Sequence, residues 1–113
     1  MRVVIFFDLP TICDSDKKEY QKFRNALLKN GFDMIQYSVY SKICTNKQSA
    51  DLCVSNISKI SPNKGSIRAL ILTEKQYSSM TVIIGGLTES EKNIKDRRFI
   101  IIEWLNLNTK IIP

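Results

Sequence analysis

The residue with most chemistry to offer is Asp8, because of what precedes it. Val3 to Phe7, VVIFF, is an unbroken apolar run, and the Asp8 carboxylate follows it directly. A run this short, rich in β-branched and aromatic residues, predicts a buried strand rather than a helix. Pro10 has no amide hydrogen to give a ladder, so the strand must stop there. Asp8 therefore stands at the carboxyl end of a central strand, the edge where sites gather in α/β layers. This stretch leaves two roles open: a cap for the turn into Pro10, or an oxygen ligand for a hard cation.

The composition limits what chemistry Asp8 can join. The chain has 113 residues and no histidine. That removes Ser-His and Cys-His nucleophiles, histidine proton relays and most zinc chemistry. Catalysis must then run on carboxylates, lysine, tyrosine, thiols or a metal such as Mg²⁺. The three cysteines, Cys13, Cys44 and Cys53, are odd in number and lack CxxC spacing. They predict reduced thiols in a cytoplasmic protein rather than a disulfide frame. The net charge of +6 makes polyanions plausible partners. No P-loop, GxGxxG or EF-hand loop is present, and the aromatic-rich strand of RNA-recognition modules is missing. A single aspartate is a poor Mg²⁺ site, which usually takes one or two carboxylates plus phosphate oxygens. A two-fold homodimer would supply a second Asp8, so that the pair holds one cation against a phosphodiester.

The surrounding elements must place that carboxylate. The length predicts one domain. No apolar run approaches a membrane span, and neither a signal peptide nor a membrane partner is expected. A helix is predicted from about Lys17 to Asn30, capped by Asp16 with Glu19 and ended by Gly31. Tyr20, Phe23 and Leu27 make its core stripe, and Lys17, Lys18, Lys22, Arg24 and Lys29 its basic side. That side is either simply solvated or a set of phosphate contacts. Phe32 to Cys44 alternates as extended chain, too long for one strand, and predicts a bend or two short strands. A second helix, with Thr45 and Gln48 as capping box, runs to about Ile60 and buries Ala50, Cys53, Val54, Ile57 and Ile60. Ile67 to Thr73 is apolar on both faces apart from Arg68 and predicts a central strand. A break at Glu74 to Tyr77, a strand at Met80 to Ile84 and a polar connector follow. FIIIEWL, with Phe99, Ile101, Trp104 and Leu105, predicts a last strand that seeks a partner edge. The order predicts an α+β, ferredoxin-like βαββαβ unit. Residues 1–84 form its core, and 85–113 the connector, late strand and tail of the same domain.

Three segments carry a resemblance. FFDLP at 6–10, YQKFRNALLKNGFDMIQYSVYSK at 20–42 and KGSIRALILTEKQYSSM at 64–80 together resemble the small CRISPR-associated adaptation subunit, the Cas-two family, in the form found in type II systems. The resemblance implies a ferredoxin-like fold, a symmetric homodimer and a role in spacer acquisition. It implies a dimer that bridges two CRISPR integrase dimers and holds double-stranded protospacer DNA by its backbone. It also implies metal-dependent cleavage of RNA or DNA, with Asp8 as the Mg²⁺ ligand and catalytic residue. The strand at Phe99 to Leu105 would cross to the second copy, and the tail would meet the integrase. A toxin-type ribonuclease on the same fold is the alternative.

Overall fold

The computed structural model describes residues 1–86 and 91. Two compact units divide the chain, Met1–Ser79 and Met80–Pro113. The first runs β1 (Arg2–Asp8), α1 (Asp14–Lys29), β2 (Asp33–Gln36), β3 (Val39–Ile43), α2 (Lys47–Lys59), β4 (Ser66–Leu72) and α3 (Glu74–Ser78). The strands make one antiparallel sheet in the order β2-β3-β1-β4.

Strand β1 is central, as its apolar run predicts. Its side chains divide between two faces by the period of two. Val3, Ile5 and Phe7 face the helices and enter a core with Leu9, Phe23, Leu27, Phe32, Tyr40, Ala50 and Ile57. Phe7 anchors it, with Phe23 edge-on at 5.1 Å and Tyr40 stacked at 5.8 Å between ring centroids. Arg2, Val4, Phe6 and Asp8 fall on the opposite, open face. Their neighbours there are Leu72, Leu70, Arg68 and Ser66 on β4, and Ile43, Ser41 and Val39 on β3.

The extended stretch from Phe32 is two strands, joined by a turn at Tyr37–Ser38. Ser38 takes φ 60°, a conformation more often given to glycine or asparagine. Helix α1 starts earlier than its sequence predicts, at Asp14, so Asp14 and Asp16 lie in its first turn. There their charge complements the helix dipole. The helix ends in a Schellman motif. The amide of Phe32 donates to the carbonyl of Leu27 at 3.0 Å, and that of Gly31 to Leu28 at 3.1 Å. Gly31 supplies the left-handed turn, φ 88°, and Phe32 packs back into the core beside Leu27.

Three local expectations change. Asn46, not Thr45, caps α2, its side chain accepting from the Ser49 amide at 2.8 Å. The break after β4 is a short helix, α3, closed by a Thr73–Gln76 capping box. Residues 80–84 form no strand. A larger difference concerns β4, which among the described residues is an edge strand of this sheet rather than a central one. Its two apolar faces signal two-sided cover, but among the described residues Ile67 and Ile71 on the helix side are only half-buried and Ala69 is exposed. Leu70 on the open face remains 52% exposed. The late strand with Phe99, Ile101, Trp104 and Leu105 lies outside the described residues.

Candidate functional site

The two charged residues of β1 sit at opposite ends of the open face and have opposite surroundings. Arg2 is buried. Its Nε and Nη2 donate to the two carboxylate oxygens of Glu74 at 2.9 and 3.0 Å. Nη1 donates to the Ser41 hydroxyl at 3.3 Å, and the guanidinium lies 4.0 Å from the Tyr77 ring centroid. This bidentate clamp fastens α3 over one end of the sheet. All its charge is answered, so it holds structure.

Asp8 is exposed at the other end. It pairs in register with Ser66 of β4, and the amide of Phe7 donates to the Ser38 carbonyl at 3.0 Å. The tip of the β2–β3 hairpin is therefore held at the Asp8 end, with Tyr37 there 85% exposed. Gly65 closes the other flank at φ 91°. A Cβ there would stand 2.6 Å from the Asp8 carbonyl oxygen and 2.7 Å from Leu9 Cδ2. Only glycine allows that approach, so the Asp8 backbone is fixed from both sides. Its carboxylate makes no hydrogen bond or ion pair with the described residues. Arg68, opposite Phe6 and one residue pair along from Asp8 on the same face, is equally exposed and unpaired among them.

Among the described residues no group of three acids or thiols could hold a metal. The donor set at Asp8, one free carboxylate beside the Ser66 hydroxyl, fits half of a Mg²⁺ site. A second copy would have to supply the other half.

The basic residues predicted on α1 separate into two rows. Lys18, Lys22 and Lys29 follow i, i+4, i+11 spacing and are all exposed, whereas Lys17 and Arg24 form another row and Arg24 is half-buried. Lys22 also joins Lys59 and Lys64 around an open groove of about 550 Å³ between α1 and the turn after α2. Lys64 pairs with Asp16 at 3.7 Å. A hydrogen bond from Cys13 holds the Asp16 carboxyl below its usual range, against an opposing cost of desolvation, with the Lys64 charge adding a smaller downward pull.

Sequence reasoning missed Arg68, Ser66, Gly65, Lys59 and Lys64. Gly65 carried a signal, a Lys-Gly-Ser turn, but not its close approach to Asp8. Arg68 and Ser66 needed the register of β4 against β1, and Lys59 and Lys64 the packing of α1 beside the turn after α2.

An antiparallel βαββαβ sheet with helices on one face defines a ferredoxin-like protein. The same fold is found in the crystal structure of Streptococcus pyogenes Cas2 at pH 6.5, which matches with a TM-score of 0.53 at 21% identity. That match covers 73% of this chain and 99% of the other. The family model for CRISPR associated protein Cas2 matches residues 1–80. The CRISPR-associated endoribonuclease Cas2 of Ligilactobacillus salivarius is 45% identical over 89% of this chain and 100% of its own. The protein of the same name from Campylobacter jejuni is 46% identical over 81% of this chain and 64% of its own. The chain belongs to the Cas2 family.

Proposed function

We propose that this chain acts in CRISPR adaptation as a cytoplasmic two-fold homodimer that bridges integrase dimers and grips protospacer duplex DNA by its phosphate backbone. The observation that carries the reading is the open face of the sheet. Phe6, Leu70 and Ile43 are exposed there, with Val4 between them, on a sheet whose other face carries the core. A large apolar patch of this kind marks an interface. The face is self-complementary, since Asp8 at one end of each copy meets its equivalent across a two-fold axis. The edge of β4, unpaired among the described residues and beside a groove lined by Val54, Ile57, Ile67 and Ala69, offers a place for the strand at 99–105 of the second copy. The exposed lysines of α1 then stand outside the interface, free for phosphates. Such contacts position a duplex and carry no sequence preference.

The name of its relatives favours a second property at the same place, metal-dependent endoribonuclease activity. Mg²⁺, when bound, would activate water and stabilise the charge that develops on the phosphate oxygens. The chain's own part is to hold the two Asp8 carboxylates rigidly, through Gly65 and the Ser38 turn, and to leave them unpaired for the ion.

Leu70→Glu places a charge in the middle of the open face. It should give a folded monomer by sedimentation, with duplex binding and integrase co-purification lost. A fully dimeric Leu70→Glu would sink the face-to-face reading. Asp8→Ala should keep spacer acquisition while abolishing Mg²⁺-dependent RNA cleavage. Loss of acquisition with the complex intact would show that the carboxylate serves adaptation itself.

A further inference from the structure

We infer that Arg68 is the phosphate-binding partner of Asp8, a catalytic residue that contacts the reacting phosphodiester; this rests on Asp8 being the metal ligand. The argument starts from a misfit. The middle of the open face is apolar, with Val4, Phe6, Val39 and Leu70, and Arg68 stands among them on the edge strand. It makes no ion pair with the described residues, although the strand pairing sets its Cβ about 7 Å from that of Asp8. Closing the face against a second copy takes water from this guanidinium. A desolvated charge without a partner costs several kcal/mol, so the closed face must give Arg68 an anion. Glu74 is already engaged by Arg2 on both carboxylate oxygens. Among the described residues the acid beside Arg68 in the strand register is Asp8, whose charge goes to the cation, so the anion comes with the ligand.

Charge counting identifies it. Two Asp8 carboxylates and one divalent cation sum to zero. Two Arg68 groups leave the site at +2. A bound phosphodiester brings −1 and an attacking hydroxide, its proton released to solvent, another −1, so the loaded site is neutral and both guanidinium charges are answered. The planar fork of arginine also matches two non-bridging phosphate oxygens, where a lysine offers a point charge.

The test uses the full chain with Arg68→Gln, Arg68→Lys and Asp8→Asn. Binding of a short single-stranded RNA is followed by fluorescence anisotropy in EDTA across a salt series, and dimerisation by sedimentation. Arg68→Gln should remain dimeric, and its slope of log affinity against log salt should fall by roughly 0.7 for each guanidinium lost. Arg68→Lys should keep most of the slope. With Mg²⁺, Arg68→Gln should slow cleavage roughly 100-fold, and lysine should restore only part of it. An unchanged slope in EDTA overturns the inference. So does wild-type cleavage by Arg68→Gln. Dissociation of Arg68→Gln to monomer overturns it too, because Arg68 would then pair with Asp8 of a second copy. Asp8→Asn separates the two readings. If it cleaves normally, or if the wild-type chain cleaves nothing, the metal reading fails, and the binding slope in EDTA still decides for or against Arg68 as a phosphate ligand.

Discussion

Strand β1 carries a charge at each end of one face, and the two ends were built for different purposes. At the amino end Arg2 meets a carboxylate, a hydroxyl and an aromatic ring, all within hydrogen-bond or cation–π reach. At the carboxyl end the Asp8 carboxylate meets no partner among the described residues, although the backbone beneath it is wedged between Gly65 and the Ser38 turn. A fully answered charge stabilises the fold that encloses it. A rigidly placed and unanswered one is available to a ligand. The same contrast explains why a buried Arg–Glu pair here is no functional candidate, despite being the strongest ion pair described.

Breaking the amino end should have the largest effect on stability. Arg2→Met leaves Glu74 with only 12% of its side chain exposed and without its cation, and should cost about 3 kcal/mol in urea unfolding. Arg2→Met with Glu74→Leu should recover most of that loss. No recovery would mean that the ring and hydroxyl contacts, not the ion pair, hold α3.

Gly65→Ala comes next. The added methyl meets backbone atoms that cannot yield, at a φ that alanine resists, so about 2 kcal/mol should be lost. The cost should be accompanied by reduced Mg²⁺-dependent cleavage, because the Asp8 backbone must move. A Gly65→Ala chain of normal stability and activity would remove the wedge from the account.

Asp8→Asn should change stability by less than about 0.5 kcal/mol, since no partner within the described residues is lost. A loss as large as that of Arg2→Met would erase the contrast between the two ends.

The smallest effect belongs to Asp16. Its folded pKa lies below the usual 3.8, first through the Cys13 hydrogen bond. A depressed carboxyl contributes stability above its unfolded pKa and loses it as pH falls through the folded value. The difference between wild type and Asp16→Asn in urea midpoints should therefore be present at neutral pH and vanish below the usual carboxylate range. A difference that grew with acid would refute the hydrogen-bonded carboxylate.

Much of this was legible along the chain. The β1 run, the α1 stripe of Phe23 and Leu27, Gly31 as a terminator and the split of residues 32–44 into two strands all follow from local rules, because each depends on neighbours within a few residues. The helix caps were misplaced by one to three positions, as Asn46 for Thr45 shows, because several adjacent residues can accept the same amide. Strand β4 was misjudged for a different reason. Its two apolar faces predict cover on both, whereas among the described residues it lies at the sheet edge with Leu70 52% exposed.

The sequence by itself determined the α+β class, the central β1, the carboxylate at its end and the absence of histidine chemistry, since composition and periodicity are properties of the chain alone. Only the tertiary structure decided that Arg2 is spent inside the fold while Arg68 and Asp8 stand on one face unpaired among the described residues, and that Gly65 touches Asp8. The residues concerned lie 57 to 72 positions apart, and only antiparallel register and the folding of α3 onto the sheet bring them together.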